Sequence, residues 1–271
     1  MSTVTRSPDG RTTLFTSGTR VWVAEVMRGI FGPLVTENAS QSSPVISGDD
    51  RVAYTSTSSG AIGDLYLVSA TGVGTPALIV KSSTMVHAND FSPDGRYLIY
   101  DDHTSQQRQD LLVLPLQPDA AGGRKPIPFV ATPADETFAQ FSPDGRWVAY
   151  SSDESGRREV YVQGFAPDRV PATAVGKWTI SSAGGDKPRW SANGRELYYL
   201  STDRKLMVVP ISSGATFAPG IAVPLFDVPL LTGFVPYDVG RDGRFLMNVV
   251  SDAAVRASPL TVVLNWRDPS R

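Results

Sequence analysis

Several features that proteins commonly use are missing or scarce in this chain. The sequence of 271 residues has no cysteine, which excludes disulfides and thiolate metal ligands. It has two histidines, His87 and His103, which fall on different predicted loops. Two histidines placed in this way are a poor zinc set, because zinc sites use three or four protein ligands. We therefore predict no metal and no cofactor.

Long hydrophobic runs and charge of one sign are also missing. No apolar segment approaches the roughly 18 residues that cross a bilayer, and no segment resembles a signal peptide. The 25 basic and 27 acidic residues are interspersed and give a net charge of −2. Because no basic stripe is present, the sequence argues against nucleic-acid partners and against direct membrane insertion.

Motifs for catalysis are absent as well. A serine hydrolase would need a G-x-S-x-G elbow, which does not occur. The tripeptide Asp90-Phe91-Ser92 looks only superficially like a kinase Asp-Phe-Gly, because its third residue is serine. No glycine-rich phosphate loop or His-Arg-Asp catalytic loop accompanies it. We predict that this chain is not an enzyme.

What the sequence does contain is a repeated tight turn. Ser-Pro-Asp-Gly or a close variant is followed by arginine six times, at intervals of 40, 45, 50, 49 and 49 residues. In such a turn proline presets φ, aspartate bonds its own backbone and glycine takes positive φ. Asp50 stands where glycine is usual, which aspartate tolerates. The turn also explains its repeated aspartates without calcium or catalysis. The six arginines lie at positions 11, 51, 96, 146, 195 and 244.

Each repeat predicts four β-strands. An inner strand precedes the turn, a strongly apolar strand follows it, and two more complete the unit, as in residues 141–165. The fourth strand is predicted at 33–37 in the first repeat, and proline recurs in or beside this strand, at Pro33, Pro76, Pro128 and Pro224, as is typical of an outer edge. Repeats of this length predict an all-β, six-bladed β-propeller of four-stranded antiparallel blades.

The last repeat has its predicted third strand at 260–266 and no fourth. Residues 1–271 are expected to form a single propeller domain that is the C-terminal part of a longer native chain. We expect an upstream segment to supply the missing outer strand, in preference to a last blade of three strands.

Two segments, FSPDGRYLIY (91–100) and FSPDGRWVAYSSDESGRREVYVQGF (141–165), resemble the TolB-type propeller repeat. The resemblance extends over nearly the whole chain and implies a TolB-like fold. The run at 184–211 and the ending PLTVVLNWR resemble the C-terminal propeller of bacterial receptor Ser/Thr kinases. That resemblance implies a sensor or protein-interaction domain outside the cytoplasm.

Two other functions stay open on the sequence. One is a periplasmic TolB-like scaffold that binds an outer-membrane lipoprotein, and the other is the gating propeller of a prolyl-oligopeptidase-like peptidase. In each case we expect a monomer that binds a protein, a peptide or a small ligand at the propeller funnel.

Two sets of candidate binding residues follow from the predicted architecture. Polar residues of the inner strands form a ring facing the central channel: Thr5, Asp90, Gln140, Arg189 and Asp238, with Val45 in the same position. Loops on the face opposite the turns are expected to expose a partner surface: His87, Asn89, His103, Gln106, Arg108, Glu136, Phe138, Asp186, Lys187 and Tyr237.

Overall fold

A computed structural model describes most of the chain. The described residues are 3–37, 39–58, 60, 62–103, 108–167, 176–213, 216–228 and 236–248. Among them the only helical element is a 3₁₀-helix at Val26–Arg28, and no helix is long and apolar enough to cross a lipid bilayer.

The Ser-Pro-Asp-Gly turn is stabilised by its own side chains. In the turn at 142–145, Ser142 Oγ donates to Asp144 Oδ1 at 2.6 Å, and the Gly145 amide donates to the Ser142 carbonyl at 2.8 Å. Gly145 has a φ of 70°, and Asp50 takes the corresponding conformation with a φ of 61°. The serine hydroxyl also accepts the Trp147 amide, at 3.0 Å. Each turn therefore starts the next strand without any ligand.

The strands form small antiparallel sheets, in which consecutive strands pair. The first three sheets are β1 (Val4–Arg6), β2 (Thr13–Ser17), β3 (Arg20–Glu25) and β4 (Ile30–Pro33); β5 (Gln41–Ile46), β6 (Arg51–Ser56), β7 (Asp64–Ser69) and β8 (Ala77–Val80); and β9 (Val86–Phe91), β10 (Tyr97–His103), β11 (Gln109–Pro115) and β12 (Ile127–Val130).

The fourth sheet is again four-stranded, the fifth has five strands, and the last has two in the described part of the chain. They are β13 (Glu136–Phe141), β14 (Trp147–Ser152), β15 (Glu159–Gly164) and β16 (Lys177–Thr179); β17 (Asp186–Trp190), β18 (Glu196–Leu200), β19 (Lys205–Ser213), β20 (Phe217–Pro219) and β21 (Val223–Asp227); and β22 (Tyr237–Val239) with β23 (Phe245–Met247).

The prediction of six four-stranded blades is corrected in part. In the part of the chain that the structure describes there are five blades of four or five strands, and a two-stranded sheet takes the sixth position. The third strand predicted at 260–266 lies outside the described residues. In the fifth blade, β19 is long enough to pair with both β20 and β21, and β20 was not predicted.

The outer strand of the first blade lies earlier than predicted. The sequence suggested 33–37, whereas β4 ends at Pro33 because the chain already turns back at Gly29, whose φ is 64°. Leu34 and Val35 are instead buried in the core between the first and second blades. Pro33, Pro128 and Pro224 all lie in outermost strands, which confirms the edge prediction.

The core lies between the sheets and closes them into a ring. Every pair of neighbouring sheets shares a cluster of buried apolar side chains, including the pair formed by the two-stranded sheet and the first blade. At that last junction Leu246 packs with Val4 and Phe15. The inner strands β1, β5, β9, β13, β17 and β22 contact one another in that order, and β22 contacts β1. This arrangement is an all-β propeller.

Candidate functional site

The inner strands enclose a cavity of about 470 Å³ on the axis of the ring. Asp90, Gln140, Arg189 and Asp238 all line this cavity, together with Thr5 and Val45, as predicted for the channel. The turns also contribute to its wall, for example through Pro93 and Pro143. The turns are therefore part of the cavity wall as well as of the architecture.

Three of these polar side chains join one inner strand to the next. Asp90 Oδ2 accepts the Phe141 amide at 2.9 Å, and Gln140 Oε1 accepts the Trp190 amide at 2.6 Å. Asp238 Oδ2 accepts the Arg6 amide at 2.7 Å, across the junction between the last sheet and the first blade. We call these three contacts the inter-blade clasps. They explain why polar residues recur at this position without any ligand.

Arg189 differs from its neighbours in the ring. It is 8% exposed, and its Nη1 donates to the Pro188 carbonyl at 2.7 Å. It forms no direct ion pair with any carboxylate in the part of the chain that the structure describes. Burial raises the pKa of both Asp90 and Asp238, and the positive charge of Arg189 opposes that rise.

Burial is the larger influence on those two acids. It raises the pKa of Asp90 to about 7, with Asp238 adding to the rise, and Arg189 and the Phe141 amide opposing it. Burial also raises the pKa of Asp238. Two further arginines, Arg6 and Arg241, line the same cavity. The cavity therefore places three arginines beside two acids whose pKa values are both raised.

Bulges in the inner strands turn side chains away from the regular pleat. Ser43, Phe138 and Lys187 lie at such register shifts with positive φ of 49°, 57° and 56°. Lys187 Nζ lies 4.5 Å from the centre of the Phe138 ring, a cation–π contact between the fourth and fifth blades. Bulges of this kind commonly re-aim side chains near functional sites.

Most residues of the predicted partner surface are buried or partly buried. His87, Glu136, Phe138 and Tyr237 are buried, so the expectation that they are exposed was wrong. The Tyr237 hydroxyl donates to the Lys187 carbonyl at 2.7 Å, and Glu136 accepts hydrogen bonds from Thr132. Burial raises the pKa of Glu136.

The other members of that set are partly buried: Asn89, His103, Arg108, Asp186 and Lys187. Arg108 Nη1 donates to the Pro133 carbonyl at 2.9 Å, and Lys187 pairs with Asp186 at 2.8 Å. Gln106 lies outside the described residues. These residues pack against the blades, and the order of loops along the sequence does not predict that packing.

The two histidines are on neighbouring strands, not on different loops as predicted. His87 lies in β9 and His103 ends β10, and their ring centroids are 5.1 Å apart. Between them lies Asp101, which is fully buried, with its Oδ2 2.9 Å from His87 Nδ1 and 3.9 Å from His103 Nε2. Within the described ranges, this trio is the one group of at least three His, Asp or Glu side chains arranged to hold a metal ion.

The cluster has a signal in the sequence, which appears when the repeats are aligned by strand pairing. In the second and fourth blades the strand positions that pair as His87 and Asp101 do are Ser42 with Thr55 and Thr137 with Ser151. Aligning the repeats by register therefore singles out the third blade. Spacing alone does not, because the bulges in β5, β9, β13 and β17 change the number of residues between the turn and the paired position.

No family model and no curated protein matches this chain. Solved structures do. A protein described as TolB from Agrobacterium tumefaciens is 22% identical, with a TM-score of 0.70 over 90% of this chain and 87% of the other. TolB from Acinetobacter baumannii is 16% identical, with a TM-score of 0.62 over 93% of this chain and 58% of the other.

An enzyme with a similar fold also matches. Oligogalacturonate lyase from Vibrio parahaemolyticus is 12% identical, with a TM-score of 0.61 over 91% of this chain and 73% of the other. Identities this low establish architecture and leave activity open, because one propeller fold supports many functions. The fold of this chain is that of a TolB-like β-propeller.

Proposed function

We propose that this chain is a non-catalytic recognition propeller that binds a carboxylate-bearing peptide segment or small ligand in its axial cavity. The observation that carries the proposal is Arg189, which lines a cavity of about 470 Å³ without a direct ion-pair partner among the described residues. Ligand sites in proteins typically have volumes of roughly 300–1,000 Å³.

The charge of the cavity favours an anionic group. Arg6, Arg189 and Arg241 face Asp90 and Asp238, and Asp90 is partly protonated at neutral pH because its pKa is about 7. A guanidinium offers several N–H donors in a planar arrangement that matches a carboxylate. Trp190 and Phe138, which also line the cavity, supply apolar contact area beside these charges.

The inter-blade clasps support binding in preference to catalysis. Asp90, Gln140 and Asp238 use side-chain oxygens to hold backbone amides of the next inner strand. A general acid or base must be free to exchange a proton with substrate. The similarity to TolB structures is consistent with a protein-binding role, whereas the similarity to a lyase stays at the level of fold.

The wider setting we propose is a larger bacterial signalling protein, in which six complete blades form the monomeric, extracytoplasmic sensor of a receptor Ser/Thr kinase. The native coding sequence upstream of residue 1 tests this. A kinase module would support it. A signal peptide with a small α/β domain would favour the TolB-like scaffold, and a hydrolase domain would favour the peptidase.

The cavity itself is tested by Arg189→Gln. Short fluorescein-labelled peptides of acidic, neutral and basic composition are titrated with the protein, and binding is followed by fluorescence polarisation. We expect the acidic peptides to bind and the substitution to weaken them by about tenfold or more, because a charged hydrogen bond is lost. Arg189→Lys, which keeps the charge, should retain part of the affinity.

The matched control is Arg195→Gln, because Arg195 is exposed in the neighbouring turn and does not line the cavity. This variant should bind as the wild type does. Equal affinity of the Arg189→Gln variant, or absence of binding by every acidic peptide, would contradict the proposal.

A further inference from the structure

His87, Asp101 and His103 present one ligand atom each, and these three atoms all lie within 4.8 Å of one another. In a tetrahedral zinc site, metal–ligand bonds of about 2.0–2.1 Å place the ligand atoms about 3.4 Å apart. His87 Nδ1 and Asp101 Oδ2 are 2.9 Å apart and would separate by about 0.5 Å, while His103 Nε2, now 3.9 Å from Asp101 Oδ2, would approach it by about 0.5 Å. His103 is the last residue of β10 and 31% of its side chain is exposed, which permits this shift.

The cluster is not required by the blade architecture. The second and fourth blades place hydroxyl residues at the two paired positions and still form complete four-stranded sheets. A fully buried aspartate between two imidazoles is therefore a local addition to the third blade. Buried carboxylates are expensive unless they are paired or bind a cation.

A fourth ligand is close at hand. Gln109 pairs with His103 across β10 and β11, and its Nε2 lies 2.7 Å from His103 Nε2. The two orientations of a glutamine amide are distinguished only by their hydrogen-bond partners. If the amide is flipped, the Gln109 side-chain oxygen faces His103 Nε2. Asn89 Nδ2 donates to Asp101 Oδ1 at 2.7 Å and so orients the carboxylate. Such supporting hydrogen bonds are typical of metal sites.

The surroundings are acidic, which favours a cation. The charges of Asp102 and Asp135 act on His103. The same two carboxylates act on Asp110, on which the charge of Arg108 also acts. The charge of Asp110 also acts on Glu136, so Glu136 belongs to the same acidic region.

We propose that His87, Asp101 and His103 bind one first-row divalent transition-metal ion, Zn²⁺ being the first to test, with Gln109 or a water molecule completing the shell. Two imidazoles and a carboxylate suit such ions better than Mg²⁺ or Ca²⁺, which prefer oxygen ligands. The ion takes the place of the proton shared by His87 and Asp101 and ties β9 to the end of β10. This site is independent of the axial cavity.

The test uses the tag-free chain, stripped of metal with a chelator and titrated with ZnCl₂ by isothermal calorimetry. Because the chain has two histidines and no cysteine, the ring C–H signals of His87 and His103 report the site directly by NMR. We expect one Zn²⁺ per chain, perturbation of both histidine signals, and affinity reduced by about tenfold or more in His103→Ala. An excess of MgCl₂ should cause neither effect.

Asp101→Asn is the second variant and Asp203→Asn its matched control, since Asp203 lies in an exposed turn where it pairs with Lys205. If burial of Asp101 makes its variant unstable, His103→Ala decides alone, because that side chain is at a strand end. Wild-type protein without Zn²⁺ binding, or full binding by the His103→Ala variant, would overturn the proposal and leave a hydrogen-bonded His-Asp pair.

Discussion

Several polar residues of the inner strands stabilise the fold by joining neighbouring blades. A side-chain oxygen of Asp90, Gln140 and Asp238 accepts a hydrogen bond from a backbone amide of the next blade. Arg189 occupies the same position of its repeat and makes no such clasp. Thr5 and Val45 also make no clasp, but they carry no charge, so Arg189 is the charged side chain at this position that the fold does not use in this way.

The carboxyl of Asp90, which is partly buried in the wall of the cavity, should make stability depend on pH. Its pKa is raised from 3.8 to about 7, chiefly by burial, so from about pH 4 to 7 the unfolded chain is ionised there while the folded chain keeps the proton. Its contribution is present below about pH 4 and is lost as the pH rises through 7. Relative to Asp90→Asn, the wild type should lose roughly 4 kcal/mol of unfolding free energy between about pH 4 and pH 8.

Urea unfolding of both proteins at the two pH values measures this difference. Asp203→Asn is the control, because hydrogen bonds from Ser201 and Lys205 lower the pKa of Asp203 and its titration falls below the window. A difference between wild type and Asp90→Asn that does not change with pH would disprove the assignment.

At the scale of elements, the Ser-Pro-Asp-Gly turn both starts a strand and contacts its neighbour in the ring. A side chain at Gly145 would meet Pro93 of the preceding turn at 3.5 Å, and one at Gly194 would meet Pro143 at 3.6 Å. The turns thus follow one another around the ring as the blades do. Their glycines are required chiefly by backbone conformation, because these approaches are ordinary contacts.

Gly145→Ala should lower the free energy of unfolding by about 1–2 kcal/mol, because alanine is strained at a φ of 70°. Thermal and urea unfolding measure the loss. Gly32→Ala is the matched control, since Gly32 lies in an edge strand with ordinary φ and open space beside it. Equal stability of the two variants would show that the turn does not depend on positive φ.

At the scale of the whole molecule, the ring is closed between its first and last sheets by side chains. The Asp238 clasp and the packing of Leu246 on Val4 and Phe15 join the two-stranded sheet to the first blade. In the described residues, β1 pairs only with β2 of its own blade.

Leu246→Ala should open that junction. Removing the side chain leaves a cavity and should lower the unfolding free energy by about 2–4 kcal/mol. Amide hydrogen exchange at 4–6 should accelerate beyond the overall loss of stability, because those residues lie on the other side of the contact.

Leu114→Ala serves as the comparison, since Leu114 is equally apolar and fully buried between the second and third blades. It should destabilise the protein without a selective effect on residues 4–6. The same exchange pattern in both variants would mean that the junction is no weaker than the other interfaces.

Much of this protein follows from its sequence because the determinants are local. Proline and glycine dictate the turn at 142–145, apolar runs such as 147–150 dictate buried strands, and the spacing of turns predicts blades. The channel residues were found for the same reason, since a fixed offset from the turn locates the inner strand. Position in a repeat is readable wherever the backbone conformation repeats.

Tertiary structure decided the rest. Bulges re-aimed Phe138 and Lys187, and the packing of sheets buried Glu136 and Tyr237, which look like exposed loop residues in the sequence. The contact of His87 with His103 depends on how β9 pairs with β10. Sequence determined the repeating unit because its turns act within a few residues, whereas register and packing between strands far apart in the chain determined which side chains meet.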